Sequence, residues 1–174
     1  MPDQIRTGQV IDALLARCRA LPGFADPGTC EESDDVLVWD GPEWLPLESN
    51  TRGRHLIIGW SGDRGSPSPA ADTDWVAGSI ARDVRPRDET TRLVCLGTAQ
   101  WADSPKAARD QALQLVSAVA GICRTDPSLG IDTSATVGGH RTLTYVTGGS
   151  LTQSAVQEGF TASQLFTITY KTRV

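Results

Sequence analysis

Gly59-Trp60-Ser61-Gly62-Asp63 is the stretch of this chain that comes nearest to a catalytic signature. A nucleophile elbow sets a serine on a sharp strand-to-helix turn and needs Gly-x-Ser-x-Gly, because small residues let the turn close. Position 63 is aspartate, and a Gly/Ser/Pro/Asp-rich stretch follows where a helix should open. The mismatch favours a serine in a turn that ends a strand. Two histidines, His55 and His140, are the candidate general bases. Pairing either with Ser61 or Cys95 would make a small hydrolase, and sequence spacing alone leaves that alternative open. The cysteines Cys18, Cys30, Cys95 and Cys123 form no Cys-x-x-Cys, and no histidine stands at ligand spacing from them. They read as reduced thiols, with Cys18 and Cys123 on apolar helix faces. Gly62–Gly65 and Gly138-Gly139 lack both the Lys-Ser/Thr of a P-loop and the spacing of a dinucleotide turn. The expectation is no catalytic group, no cofactor and no metal.

Charge offers a different chemistry. The chain has 174 residues and a formal net charge of −5. A mildly acidic balance argues against general nucleic-acid binding, which needs a clustered basic surface. From Asp26 to Asn50 carboxylates recur (Asp26, Glu31, Glu32, Asp34, Asp35, Asp40, Glu43, Glu48) without one Lys or Arg. That pattern is either a solvated face or an acidic patch that meets a basic partner. Further on, Asp72, Asp74, Asp83, Asp88 and Glu89 interleave with Arg64, Arg82, Arg85, Arg87 and Arg92. A mixed-charge hairpin making polar contacts explains this better than a pair of catalytic carboxylates. The five tryptophans, Trp39, Trp44, Trp60, Trp75 and Trp101, suit strand-end packing or interface anchoring.

The elements that must position these groups follow from periodicity. Asp3 to Leu21 reads as a helix, with Val10, Ile11, Leu14, Leu15 and Cys18 on one face, and Pro22-Gly23 stops it. Phe24 to Ser33 reads as a loop. Val36–Trp39 reads as a short strand ending at Asp40-Gly41-Pro42. Arg54–Trp60 is a continuous apolar run, so it reads as a strand buried on both faces. Ser61 to Asp74 reads as an irregular loop, Trp75 to Asp83 as a strand with a helix as the alternative, Val84 to Thr91 as a hairpin tip and Thr91 to Gln100 as a strand. Asp103-Ser104-Pro105 is an N-cap followed by proline at the first helical position, predicting a helix from Pro105 to about Arg124. A loop over Ser128 to Gly139 leads to the end of the chain. There Leu143, Tyr145, Thr147, Gly149 and Leu151, then Phe166, Ile168 and Tyr170, alternate around a break at Gln157-Glu158-Gly159. This predicts a long antiparallel hairpin that needs partners on its apolar face.

No repeating β-α-β unit occurs. The fold class is therefore α+β: a mainly antiparallel, mixed sheet with two helices packed on one face and a long C-terminal β-hairpin. Residues 1–174 read as a single domain. No apolar run reaches the roughly 18 residues of a membrane span. No signal-peptide pattern opens the chain. Both observations point to a protein made and kept in the cytoplasm unless an assembly carries it out.

Five stretches together resemble the tail terminator (tail completion) proteins of long-tailed bacteriophages, notably those of high-GC hosts. They are Ile5–Arg17 (IRTGQVIDALLAR), Val36–Pro42 (VLVWDGP), Leu56–Gly62 (LIIGWSG), Val94–Ala112 (VCLGTAQWADSPKAARDQA) and Tyr145–Val174. They span nearly the whole chain, and each is a fold-level pattern rather than a chemical motif. The resemblance implies a structural, non-enzymatic virion protein at the head-proximal end of the tail, assembled in the host cytoplasm. Such proteins form a homohexameric ring that caps the tail tube, stops its polymerisation and faces the head. The implied partners are further copies of the chain, the major tail tube protein and the head-tail connector or neck protein. No membrane and no sequence-specific nucleic acid are implied. A head-completion or neck role is the neighbouring alternative. A closed ring is a head-to-tail contact, so two different surfaces of each copy must fit. Asp34, Asp35, Asp40 and Glu43, with Asp72, Asp74, Arg82, Arg85, Arg87 and Arg92, are the candidate interface residues.

Overall fold

The computed structural model describes residues 7–28, 34–41, 53–60, 62, 69–76, 88–131 and 143–173. Two helices, α1 (Thr7–Arg19) and α2 (Pro105–Thr125), pack on one face of a mixed sheet. Its strands are β1 (Phe24–Ala25), β2 (Val36–Asp40), β3 (Arg54–Ile58), β4 (Ala71–Val76), β5 (Asp88–Trp101), β6 (Leu143–Val156) and β7 (Gly159–Arg173). The order across the sheet is β1-β2-β3-β5-β7-β6, with β4 paired to β5. β1, β2 and β3 run parallel, and every other pairing is antiparallel. The α+β architecture expected from the sequence is the one observed.

β5 organises this sheet. Along one edge it pairs with β7 over its whole length, Asp88↔Arg173 to Trp101↔Phe160. Its other edge is shared: β3 takes Cys95 to Ala99 and β4 takes Asp88 to Leu93. Val94 bridges the change of partner. Its N–H donates to the Ala70 carbonyl and its carbonyl accepts from Trp60 N–H. No backbone group of β5 is wasted at the handover, which buried strands cannot tolerate.

The core lies between this sheet and the helices. Val10, Leu14 and Cys18 of α1 and Leu115, Val119 and Cys123 of α2 meet Val36, Val38, Leu56, Ile58, Leu93, Cys95, Phe166, Ile168 and Tyr170. α2 starts where the sequence predicts. Ser104 Oγ accepts from Ala107 N–H at 3.2 Å and Pro105 opens the first turn. It lies close because Gly97, Ala99, Ala108, Ala112 and Ala162 keep the contact thin. β3 has Leu56, Ile57 and Ile58 fully buried, as its unbroken apolar run predicts.

Several expectations need correction. The loop predicted over 61–74 ends early, because Ala71–Asp74 belongs to β4. Asp-Thr-Asp carries no strand signal, yet the ladder to β5 and the pairing of both aspartates with Arg92 hold it extended. The predicted strand from Trp75 holds for Trp75 and Val76, and its remainder lies outside the described residues. The predicted hairpin tip is likewise shorter than 84–91, since β5 already starts at Asp88. β1 falls inside the predicted loop over 24–33. Its two residues pair with β2 through Phe24↔Val36 and Ala25↔Leu37. In the hairpin the even-numbered face of β7 is buried as expected. On β6 the face is not continuous: a bulge between Thr147 and Gly149 shifts the alternation, using Gly148 at φ 61°. Thr144 and Val146 therefore face the helices before the bulge, and Leu143 stands exposed. The N-terminal part of the first predicted helix and most of the loop over 128–139 lie outside the described residues.

Candidate functional site

The nucleophile–base pairs of the sequence come first. Ser61 and His140 lie outside the described residues. Cys95 and His55 are both described, and the sheet keeps them apart. Cys95 pairs with Ile58 and faces the helices, whereas His55 pairs with Thr98 and projects from the opposite face. Cys95 is fully buried, and burial pushes its thiol up to about 12. A protonated thiol on the wrong side of a sheet cannot be activated by His55. Cys18 and Cys123 sit in the same core, their thiols raised to about 12 and about 11 mainly by burial. All three are free cysteines. His55 is engaged elsewhere: its Nδ1 accepts from Trp39 Nε1–H at 3.1 Å, which places its own proton on Nε2. Burial lowers its pKa below 6.5.

The charged candidates sort into two groups. Asp72, Asp74 and Arg92 come together. Arg92 Nη1 lies 2.6 Å from Asp74 Oδ2 and 3.6 Å from Asp72 Oδ2. The bond to Asp74, then its charge, raises the Arg92 pKa. These groups are largely in water, so their pairing contributes little stability and leaves their charge available to a partner. Asp34 and Asp35 precede β2 and Asp40 is its last residue, on the far side of β3 from the Arg92 strand. Arg54 donates to the Asp34 carbonyl. Asp26, at the start of the acidic stretch, pairs with Arg19 at 2.6 Å. Glu43, Arg82, Arg85 and Arg87 lie outside the described residues. The cluster of Asp72, Asp74 and Arg92 is thus the part of the predicted interface set that the structure assembles.

This cluster belongs to the sheet face that carries no helix among the described residues. Paired residues on neighbouring strands share a face, so the ladder can be read across. One row runs Asp72, Arg92, Thr169, Tyr145 and the next Asp74, Thr90, Lys171, Leu143. The face is bound together by hydroxyls: Thr147 Oγ1 to Thr169 Oγ1 at 2.9 Å and Ser163 Oγ to Thr98 Oγ1 at 3.1 Å. Lys171 stands 5.8 Å over the Tyr145 ring. Sequence reasoning missed Lys171 and Tyr145 as members of this site. Their signal was the alternation of the hairpin itself, which put every second residue on the face opposite Phe166, Ile168 and Tyr170.

Of the large exposed apolar side chains among the described residues, Leu143, Leu151, Val156 and Leu165 are spread along β6 and β7, Trp101 pairs with Phe160 near the β6–β7 turn, and Leu113 stands on α2. No helix of the described residues is long and apolar enough to cross a membrane. Nor do three His, Cys, Asp or Glu side chains among them converge as a metal would require. No protein-family model matches the chain, and no curated protein matches it.

Proposed function

We propose that this protein is a structural component of a long phage tail, a terminator that assembles as a homohexameric ring on the end of the tail tube. In this reading the ring stops tube polymerisation and offers the surface on which the head is joined. The observation that carries it is the placement of polar and apolar surface. The two helices cover one side of the sheet. The other side carries a hydroxyl-rich face with one charged cluster, beside a hairpin whose apolar residues stand in water. Such a surface suits subunit and tube contacts, because β6 is an outer strand of 14 residues with no charge or proline to blunt its edge. The five sequence stretches that resemble tail terminators support the same reading. The separation of Cys95 from His55 weakens the hydrolase alternative. The proposed partners are other copies of the chain, the tail tube protein and the head-tail connector. The proposed site of action is the head-proximal end of the virion tail.

Molar mass by light scattering, followed by negative-stain imaging, tests the ring. A six-membered ring, or a monomer that caps purified tail tubes, is the expected result. A stable monomer or dimer indifferent to tubes overturns it. Deleting the gene separates the neighbouring role: a terminator defect gives tails of wrong length, whereas normal tails that fail to join heads indicate a neck protein.

A further inference from the structure

Resting on that ring reading, we infer that neighbouring copies join edge to edge, the β6 edge of one copy pairing antiparallel with the β4 edge of the next. The observation is a pair of unpaired strand edges at opposite sides of one antiparallel block. Through residues 88–93 of β5 the sheet is β4-β5-β7-β6, and every neighbour is antiparallel. Among the described residues β4 pairs with β5 alone and β6 with β7 alone. Unpaired strand edges are templates for another strand, and proteins that must stay apart blunt them with charge, proline or brevity. β6 has none of these protections: its 14 residues, LTYVTGGSLTQSAV, include no Asp, Glu, Lys, Arg or Pro.

Strand direction selects the partner. Four alternating strands per copy leave β6 antiparallel to β4 when a second copy is placed beside the first in the same orientation. The alternation then continues through every copy, as a closed head-to-tail ring requires. Length agrees. The bulge divides β6, and its first part, the five residues Leu143–Thr147, is one residue shorter than the six of β4. The sheet's other extreme cannot serve, since β1 has two residues and lies between Pro22 and Pro27. Charge agrees as well. β4 presents exposed Asp72 and Asp74 on the helix-free face, while β6 brings Tyr145 with Lys171 beside it on the same face. Lys171 stands on β7, so the joint brings the carboxylates of one copy to within two strands, about 10 Å, of the cation of the next.

Cysteine cross-linking tests the joint. Four double variants combine Asp72→Cys or Asp74→Cys with Leu143→Cys or Tyr145→Cys. Opposed residues on adjacent strands stand about 4.5–5.5 Å apart at Cα, within disulfide reach. Mild oxidation of the assembled protein is expected to give a ladder of covalent multimers in at least one double variant. The four single variants and the parent chain should give none. A dimer from Leu143→Cys or Tyr145→Cys alone means that β6 pairs with itself and overturns the inference. Amide exchange covers any register: peptides over 71–76 and 143–147 should both slow at least tenfold in the ring relative to the dissociated chain. A ring with neither ladder nor slowed exchange refutes the edge joint and leaves the terminator reading standing. Absence of any ring sinks both.

Discussion

Gly97 is the place where α2 comes nearest to the sheet, and filling it should unseat the helix. A Cβ at this position would stand 3.2 Å from Leu115 Cβ, 3.4 Å from Leu115 Cδ1 and 3.5 Å from the Ala112 carbonyl oxygen. Two of these three atoms belong to the helix backbone or the first carbon of a side chain, so they cannot swing away. Gly97→Val adds two methyl groups beyond that Cβ. Overpacking of this kind costs about 1–3 kcal/mol. Replacing a strand glycine by a β-branched residue returns up to about 1 kcal/mol through lower chain entropy. The net expectation is a loss of about 1–2 kcal/mol. For a chain of this size each kcal/mol shifts the melting temperature by about 2–4 °C, so thermal unfolding by circular dichroism should show a drop of roughly 2–8 °C. Leu115→Ala alone costs about 2–5 kcal/mol as a large-to-small core change. It also opens the space that valine needs, so the double variant should lie more than about 0.5 kcal/mol above the sum of the singles. A Gly97→Val protein that melts at or above the parent, or strict additivity with Leu115→Ala, would refute the close-approach argument.

Two further outcomes follow from the titrating groups. His55 has its pKa depressed below 6.5 by burial, and protonation of Nδ1 would also remove the acceptor of the Trp39 bond. A depressed folded pKa means that the unfolded chain binds the proton more readily, so stability is full above about pH 6.5 and is lost as pH falls through the folded value. Urea midpoints should therefore fall between pH 7.5 and pH 5.5, and His55→Gln should flatten that dependence; an unchanged slope would show that His55 is not the group responsible. Cys18, Cys95 and Cys123 are buried with thiols at about 12, about 12 and about 11, so iodoacetamide at pH 8 should label their peptides only after unfolding. Mass spectrometry showing native labelling of Cys95 within minutes would contradict its burial.

What was legible in the sequence had local causes. Ser104-Pro105 specifies the start of α2 through one hydroxyl and one missing N–H. Phe166, Ile168 and Tyr170 specify the buried face of β7 through simple alternation. β4 escaped because Asp72, Thr73 and Asp74 lack apolar character, and their extension comes from a partner strand and from Arg92. The parallel pairing of β1, β2 and β3 escaped because register between strands joined by connections leaves no trace in either strand alone. The faces of β6 were misjudged because Gly148 adds one residue, and one residue inverts an alternation. Of the charged set, the grouping of Asp72 and Asp74 with Arg92 needed the β4–β5 ladder, and Lys171 joined it only through the ladder on the other side.

The handover at Val94 also bears on how the chain finds its fold. β6 and β7 meet across a two-residue turn, Val156 to Gly159, so their ladder can zip locally and early. β5 has no such neighbour. Its longest ladder joins residues as distant as Asp88 and Arg173, and α2 intervenes. During synthesis β5 leaves the ribosome before β7 exists, with an apolar face and a full edge uncovered. The first contacts open to it are β3 and β4, each covering half of its other edge. A strand that has two short early partners in place of one long late one keeps less of its backbone bare while it waits, which lowers the time available for pairing with the wrong chain.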